Sequence, residues 1–486
     1  MTYSTILHAF GWLILLVAGA SILPWITALY LAEASSFVAF SLTVLLASFV
    51  GGSLIMAFRD VNLRTSKTDL FLLVSGCWLI VPLFGAIPLF VSGALPSLTD
   101  AYFEALSGFT TTGASVIPSL DETDRAILVW RAVLQWLGGW ASIVMGAAVL
   151  APLGIGGMEL RVSPLTRADR SQKLDRFRGT AKAVGGIYTT LTAACFFLVW
   201  AGGIPAFDAF CLALSTISTG GFTTSDAGLS GFEAPWSMMF LVIFMIIGAV
   251  NFATHRAASK GRLSEYQEDP EIIYLLAIIF GAGVLLAVAA LQNSGDIVSA
   301  FVSSLFTAVA LATTTGFIAP DQTALVDLSP VFVVGLVLIG GATLSTAGGI
   351  KLMRLALLVK QSARELKRLT HPHGIIATHF DGRPISIQIM KSVWTFFILI
   401  LFAYAILAVL LSATGLELEA SMVAAASAIG NAGPAYDLVR LGEEAINPAY
   451  GEMTVSAKWL LMIGMLIGRL EILAFVALFS FEHWRK

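Results

Sequence analysis

The sequence predicts an all-α polytopic membrane protein. It comprises four parallel repeats of helix, half-helix, glycine-bearing loop and helix around a pseudo-fourfold axis, preceded by two extra N-terminal transmembrane helices. Three observations predict this: sparse charge, the sorting of that charge along the chain, and a small-residue string that recurs four times. Of 486 residues, 57% are drawn from AVILMFWYC and only 12% are charged. Soluble domains run near about a quarter charged, so these charges cannot coat the roughly three soluble domains that such a length would otherwise suggest. A formal net charge of −3 excludes a generally basic nucleic-acid binder.

A helix crossing the hydrocarbon needs about 20 apolar residues. Ten stretches qualify: 9–31, 37–58, 70–92, 126–150, 183–202, 235–254, 271–292, 330–360, 386–412 and 457–481. The first ends in small residues like a secretory signal, but it lacks the Lys/Arg that such a signal carries before its apolar run. It reads as a spanning helix. Segments 57–69, 155–182, 255–271 and 351–391 hold 21 Lys/Arg against 11 Asp/Glu. Segments 93–125, 203–235, 293–330 and 413–458 hold 3 (Arg125, Arg440 and Lys458) against 17. The positive excess belongs in the cytoplasm, which puts both termini inside and four acidic segments outside. Cys77, Cys195 and Cys211 lie in apolar stretches without CxxC spacing and read as small buried hydrophobes.

Each outward segment opens with a short semi-apolar stretch that suits a re-entrant half-helix rather than a span. An acidic residue starts each one: Asp100, Asp208, Asp296 and Glu417. Carboxylates suit a helix N-terminus, where the macrodipole is positive. The half-helices end in aligned strings, Ser107 to Gly113, Ser215 to Gly221, Ala310 to Gly316 and Ser427 to Gly433. Two residues before the glycines stand Thr111, Thr219, Thr314 and Asn431, and the glycines are 108, 95 and 117 residues apart. The repeats divide the chain into 1–69 (N-terminal two-helix extension), 70–154, 155–254, 255–360 and 361–486. All four units run the same way through the membrane, so the axis lies along its normal.

Irregular backbone is tolerated at membrane depth only where protein buries it or it lines a watery cavity. Glycine permits positive φ, which can turn successive carbonyls toward one axis. Four such loops make rings of oxygens able to replace a cation's hydration shell, as the four loops of potassium channels do. One Thr-Thr-Gly alone reads as close helix packing; four at matching offsets read as a pore. The candidate ion-binding set is Thr111, Thr112, Gly113, Thr219, Gly220, Gly221, Thr314, Thr315, Gly316, Asn431, Ala432 and Gly433. The span 330–360 should break, because Gly340, Gly341, Gly348 and Gly349 surround Thr343, Ser345 and Thr346 just before Lys351. A tightly packed small-residue interface is the other reading of that run. Arg469 sits deep in the last span, where an arginine needs water, carbonyls or an acid. Glu471, two positions on, points to the other side of the helix, and a salt bridge across helices remains the alternative.

The strings FTTTGAS, STGGFTT, TTTGF and IGNAGP, with this repeat and the ending GRLEIL, resemble the superfamily of potassium transporters that includes Trk, Ktr and plant HKT proteins. The chain is most similar to the Trk-type membrane subunit, TrkH. The likeness covers residues 70–486; the fourth loop departs from the usual GNVGPG by reading GNAGPA. It implies uptake of K+ across the bacterial cytoplasmic (inner) membrane through a selectivity filter, with K+ as the transported ion and no organic cofactor in this chain. It also implies that residues 340–350 form an intramembrane gating loop and that Arg469 projects into the pore and holds that loop's carbonyls. Implied partners are a second copy in a homodimer, membrane lipid and a cytosolic ring of nucleotide-binding TrkA-like subunits. The chain itself has no GxxxxGK[ST] and no strand-led GxGxxG. Proton- or sodium-coupled symport on the same fold is the alternative to a channel. An enzyme is not expected: the histidines form no HExxH, and His371 and His373 read as solvated in a basic loop.

Overall fold

The computed structural model describes residues 3–59, 67–150, 173–291, 297–321, 328–371, 379–380, 383–440 and 447–470. Helices α1 (Tyr3–Ala20), α2 (Ile22–Tyr30) and α3 (Ala34–Ala57) form the N-terminal extension. The first repeat contains α4 (Lys67–Val91), α5 (Leu98–Phe109) and α6 (Arg125–Met145), and the second α7 (Lys173–Ala201), α8 (Ala206–Ile217) and α9 (Pro235–Ala249). Two short helices, α10 (Phe252–Ala258) and α11 (Glu265–Glu268), lead to α12 (Pro270–Ala290), α13 (Ile297–Ala312) and α14 (Pro330–Ile339). Beyond a break come α15 (Leu352–Thr370), a two-stranded ladder of β1 (His379–Phe380) and β2 (Arg383–Pro384), and α16 (Ile387–Ser412). The last repeat is completed by α17 (Leu418–Gly430), the short α18 (Ala435–Arg440) and α19 (Val455–Leu470).

The four repeats share one packing scheme. In each, the first long helix packs on the half-helix (α4 on α5, α7 on α8, α12 on α13, α16 on α17). Each half-helix in turn packs on the second helix of its own repeat: α6, α9, α14 and α19. That second helix also packs on the next half-helix along the chain: α6 on α8, α9 on α13, α14 on α17 and, closing the circuit, α19 on α5. The order returns to its start after four steps, so the half-helices stand in a closed pseudo-fourfold ring. Twelve residues rise only about 18 Å as an α-helix, so α5 and α8 cannot cross a bilayer. They are buried, and their small residues (Ala and Ser in both, Gly108 in α5) admit close neighbours. Ser97 caps α5 by accepting from the Asp100 amide, and Asp100 and Asp208 sit in the first turns of α5 and α8. Glu417 holds the N-cap position of α17, while Asp296 lies outside the described residues.

Among the described residues, seven helices are long and apolar enough to cross a membrane, or eight if a bent pair counts as one span. The chain is a multi-pass membrane protein. The expected span 330–360 is split, as its glycines require, into α14 and α15. The expected span 457–481 is described only as far as Leu470. One expectation fails: 235–254 is not a continuous helix, because α9 and α10 meet at 103°. Val250 is extended there, and the Asn251 side chain accepts from the Ala253 amide to start a new helix. Asparagine is a strong N-cap, and hydropathy alone passes over it.

Candidate functional site

The ring's inner structure follows from how the half-helices stop. In all four, the backbone turns left-handed at one residue: Thr111 (φ 53), Thr219 (φ 51), Thr314 (φ 56) and Asn431 (φ 52). The amides of these residues donate to Gly108, Thr216, Leu311 and Ala428, each three positions back. The next amides, of Thr112, Gly220 and Ala432, reach back five positions to Ser107, Ser215 and Ser427; in the third repeat the Gly316 amide reaches Ala310. Such paired bonds form a Schellman cap, which usually places glycine at the left-handed position. Asparagine tolerates that position, whereas β-branched threonine is an outlier, and the left-handed form costs a residue with a Cβ about 1–2 kcal/mol. Three such threonines at equivalent places persist only because surrounding contacts fix them.

Three of the four glycines carry the expected positive φ, and one does not. Gly113 (φ 81), Gly221 (φ 81) and Gly316 (φ 75) have positive φ, but Gly433 does not. Pro434 follows it and biases the preceding residue toward extended backbone, and the Gly433 amide donates to the Thr112 carbonyl. Glycine is still required there, because a Cβ at Gly433 would lie 2.3 Å from the Ala114 nitrogen. A Cβ on Gly113 would lie 2.0 Å from the Gly220 oxygen, one on Gly221 2.1 Å from the Thr315 oxygen, and one on Gly316 3.1 Å from Pro434 Cδ. Each of the loops after α5, α8, α13 and α17 (loops 1 to 4) thus touches the next, and loop 4 touches loop 1. The Asn431 Nδ2 also donates to Thr112 Oγ1 (3.0 Å), and the Tyr450 hydroxyl donates to the Gly433 carbonyl (2.9 Å).

The broken segment between α14 and α15 packs against the carboxyl ends of the second, third and fourth half-helices, and Arg469 bridges it to the first. Thr346 Oγ1 donates toward Ile217 O (3.0 Å) and Gly248 O (2.9 Å), and Thr219 Oγ1 donates to Thr346 Oγ1 (3.3 Å). The Gly348 amide donates to Thr314 Oγ1 (2.7 Å), and a Cβ there would lie 1.9 Å from the Gly430 oxygen. Arg469 makes the fourth contact. Its Nε donates to Thr110 O (2.5 Å), its Nη2 to Thr111 Oγ1, and its Nη1 to Thr346 O (2.8 Å) and Ala347 O (3.4 Å). The arginine therefore meets carbonyls and a hydroxyl, spanning the first half-helix and the broken segment; Glu471 lies outside the described residues. Gly340 (φ 71), Gly349 (φ 74) and Lys351 (φ 80) carry the turns at the two ends of the break. The Lys351 ammonium donates to the Ala347 carbonyl, Ser345 Oγ to Ala342 O (2.6 Å), and Gly341 O accepts from the Leu352 amide (3.1 Å).

Two supports of this segment escaped the sequence reading. The first is the α9–α10 bend: Gly248 O and Ala249 O accept from the Thr346 (3.3 Å) and Ala342 (2.9 Å) amides, and Leu344 O accepts from the Phe252 amide (3.2 Å). The second is Glu271, a fully buried carboxylate in the first turn of α12. Its Oε1 accepts from the Thr343 amide (3.0 Å), Thr343 Oγ1 (2.9 Å) and the Met353 amide (3.1 Å), which staples both ends of the break. The available signal was an acidic residue following Asp-Pro at a helix start, which fits a cap as well as it fits a tertiary clamp.

At the rim of the ring, Asp226 after loop 2 accepts from Ser119 Oγ (2.7 Å) and the Leu120 amide (2.6 Å) after loop 1. Burial pushes its pKa up, but the Leu120, Ser119 and Asp121 donors and the Arg131 charge outweigh that and hold it below the ordinary aspartate value. His371 is exposed and pairs with Thr370; His373 lies outside the described residues. Among the described residues no three His, Cys, Asp or Glu side chains gather as metal ligands.

Four capped half-helices closed into a ring within a multi-pass helical chain, with a buried segment against their ends, define a membrane transport protein. The family model "TrkH: Cation transport protein" matches residues 36–260 and 284–485. The chain belongs to that family, and is accordingly a cation transporter rather than an enzyme. It is 34% identical to the Trk system potassium uptake protein TrkH of Halomonas elongata and 33% identical to that of Escherichia coli K12, over 100% of each chain. The crystal structure of the potassium transporter TrkH from Vibrio parahaemolyticus superposes with a TM-score of 0.89 at 34% identity, covering 100% of both chains.

Proposed function

We propose that this chain takes up potassium across the bacterial cytoplasmic membrane, with both termini inside, through a filter formed by loops 1 to 4. One observation carries the reading: four equivalent helix caps deliver Thr111–Gly113, Thr219–Gly221, Thr314–Gly316 and Asn431–Gly433 to a single closed ring. Carbonyl ligands in such a ring replace the water of a dehydrating cation, and the half-helix carboxyl ends add negative dipole ends. Residues 340–350 and Arg469 form the gate. The guanidinium repels cations, and its bonds to Thr346 O and Ala347 O hold the segment against the half-helix ends. The repeats 70–154, 155–254, 255–360 and 361–486 act as the four sectors of the pore, and 1–69 as an added flank. A homodimer and a nucleotide-binding TrkA-like subunit complete the assembly, in keeping with the "Trk system" in the relatives' names.

Flux of potassium, rubidium and sodium into proteoliposomes, with and without an imposed proton gradient, tests the reading. Potassium and rubidium should exceed sodium, and flux should follow the potassium gradient alone. Equal entry of all three ions overturns the filter, and flux that requires the proton or sodium gradient overturns the channel in favour of symport.

A further inference from the structure

Loops 1 and 2 are joined by more than their backbone contact. Glu104 on α5 and Arg131 on α6 are 1% and 2% exposed, and Arg131 Nε donates to Glu104 Oε1 at 2.7 Å. A buried ion pair is costly unless its remaining polar atoms are also satisfied. Here they are, and by the loops. Glu104 accepts from Ser115 Oγ (3.0 Å) and the Val116 amide (2.8 Å), the residues that follow Gly113. Arg131 Nη2 donates to Ser115 Oγ (3.0 Å) and Nη1 to the Thr223 carbonyl (3.1 Å), and the guanidinium lies 3.9 Å from the centre of the Phe222 ring. One helical turn on, Gln135 Oε1 accepts from the Phe222 amide (3.4 Å). A Cβ on Gly220 would lie 2.3 Å from the Gln135 amide carbon. The α6 side chains thus grip loop 1 just after Gly113 and loop 2 on both sides of Gly221.

We propose that Glu104 and Arg131 are positioning residues for ion discrimination, fixing the separation of loops 1 and 2. The proposal rests on the reading of the loops as a filter. Neither side chain belongs to the loops; both act through Ser115, Phe222 and Thr223. A ring of carbonyls favours the larger ion only while its loops are kept from closing on the smaller one. The guanidinium suits this task because its planar fork donates in three directions at once, which a lysine ammonium on a flexible stem does not reproduce. The loop 4–loop 1 junction is made by different groups: Asn431 and Gly433 bond Thr112, and α19 reaches α5 through the Lys458–Asp100 ion pair.

The test is the potassium-to-sodium flux ratio in proteoliposomes, a quantity from which the amount of folded protein cancels. Arg131→Lys keeps the charge and loses the fork. Glu104→Gln combined with Arg131→Gln leaves no orphaned charge, and Ser115→Ala removes only the shared hydroxyl. The first two should lower the ratio about tenfold, equivalent to about 1.4 kcal/mol of barrier difference, chiefly through faster sodium entry. Ser115→Ala should lower it about threefold, less than the pair variants, because the direct Arg131–Glu104 bond and the Val116 and Thr223 contacts remain. A wild-type ratio retained by Ser115→Ala and by either pair variant overturns the proposal while leaving the filter standing. A wild-type protein that does not discriminate overturns both.

Discussion

At the residue scale, the recurrence of T-x-G and N-x-G was legible because it is written in the letters. Positive φ holds at three of the four glycines, but the left-handed turn two residues before them was not legible. The reading gave positive φ to the glycines. The structure gives the first left-handed turn to Thr111, Thr219, Thr314 and Asn431, and a second to only three of the glycines. A cap is counted from the last helical residue, and the sequence does not mark where a buried half-helix stops. What fixes the glycines is therefore chiefly the neighbouring loop. Gly113→Ala should fail on two counts: its φ of 81° disfavours a side chain, and the new Cβ would lie 2.0 Å from the Gly220 oxygen, a backbone atom that cannot rotate aside. We expect its potassium-to-sodium flux ratio to collapse toward unity. Gly186→Ala is the control, since a Cβ at this α7 position meets nothing within 4 Å. It should raise thermal stability in detergent by up to about 1 kcal/mol and leave flux unchanged. A Gly113→Ala protein with wild-type selectivity would refute the steric argument.

At the element scale, two broken helices solve one hydrogen-bonding problem together. A helix end leaves backbone groups without partners, and inside a membrane none can turn to water. The α9–α10 bend offers Gly248 O and Ala249 O to the Thr346 and Ala342 amides, while the α14–α15 break returns Leu344 O to the Phe252 amide. Clustered glycines made one break legible. Its counterpart was not, because apolar composition runs straight through 235–254 and only Asn251 marks the bend. Glu271 was equally silent, since its partners Thr343 and Met353 lie more than 70 residues away in the chain. Hydrogen bonds to a charged group contribute about 1.5–3 kcal/mol each, so the staple weighs heavily against displacement of the segment. Glu271→Ala and Arg469→Ala should each raise resting rubidium flux roughly tenfold or more, with potassium still preferred over sodium, since 1.4 kcal/mol is tenfold in rate. Protein that reaches the membrane in normal amount with unchanged flux in both variants would show that these contacts do not limit passage.

For the whole molecule, repetition in the sequence indicates how many sectors there are, but not that the last closes on the first; that took the packing of α19 on α5. The N-terminal extension was legible only as two apolar spans. Its attachment includes a junction of two acids formed by residues about 90 positions apart, beyond the reach of any local signal. Glu33, between α2 and α3, accepts from the Arg125 (2.8 Å) and Ala126 (3.0 Å) amides at the start of α6. Asp124, which holds the N-cap position of α6, instead accepts from Ser35 (3.0 Å) and Ser36 (2.5 Å) on α3. Glu33 thus caps α6, where the macrodipole favours a carboxylate, and Asp124 ties the first turn of α3 through its serine hydroxyls. Capping of this kind contributes about 0.5–2 kcal/mol. Glu33→Ala should therefore lower the thermal midpoint in detergent, and adding Asp124→Ala should lower it by less than the sum of the single effects, because the two acids share one junction. The pair sits at the amino end of α6, more than a turn before Arg131, so the potassium-to-sodium ratio should hold while the midpoint falls. If the ratio fell in step with the midpoint, the extension would be part of the ring's support rather than a flank clamped onto it.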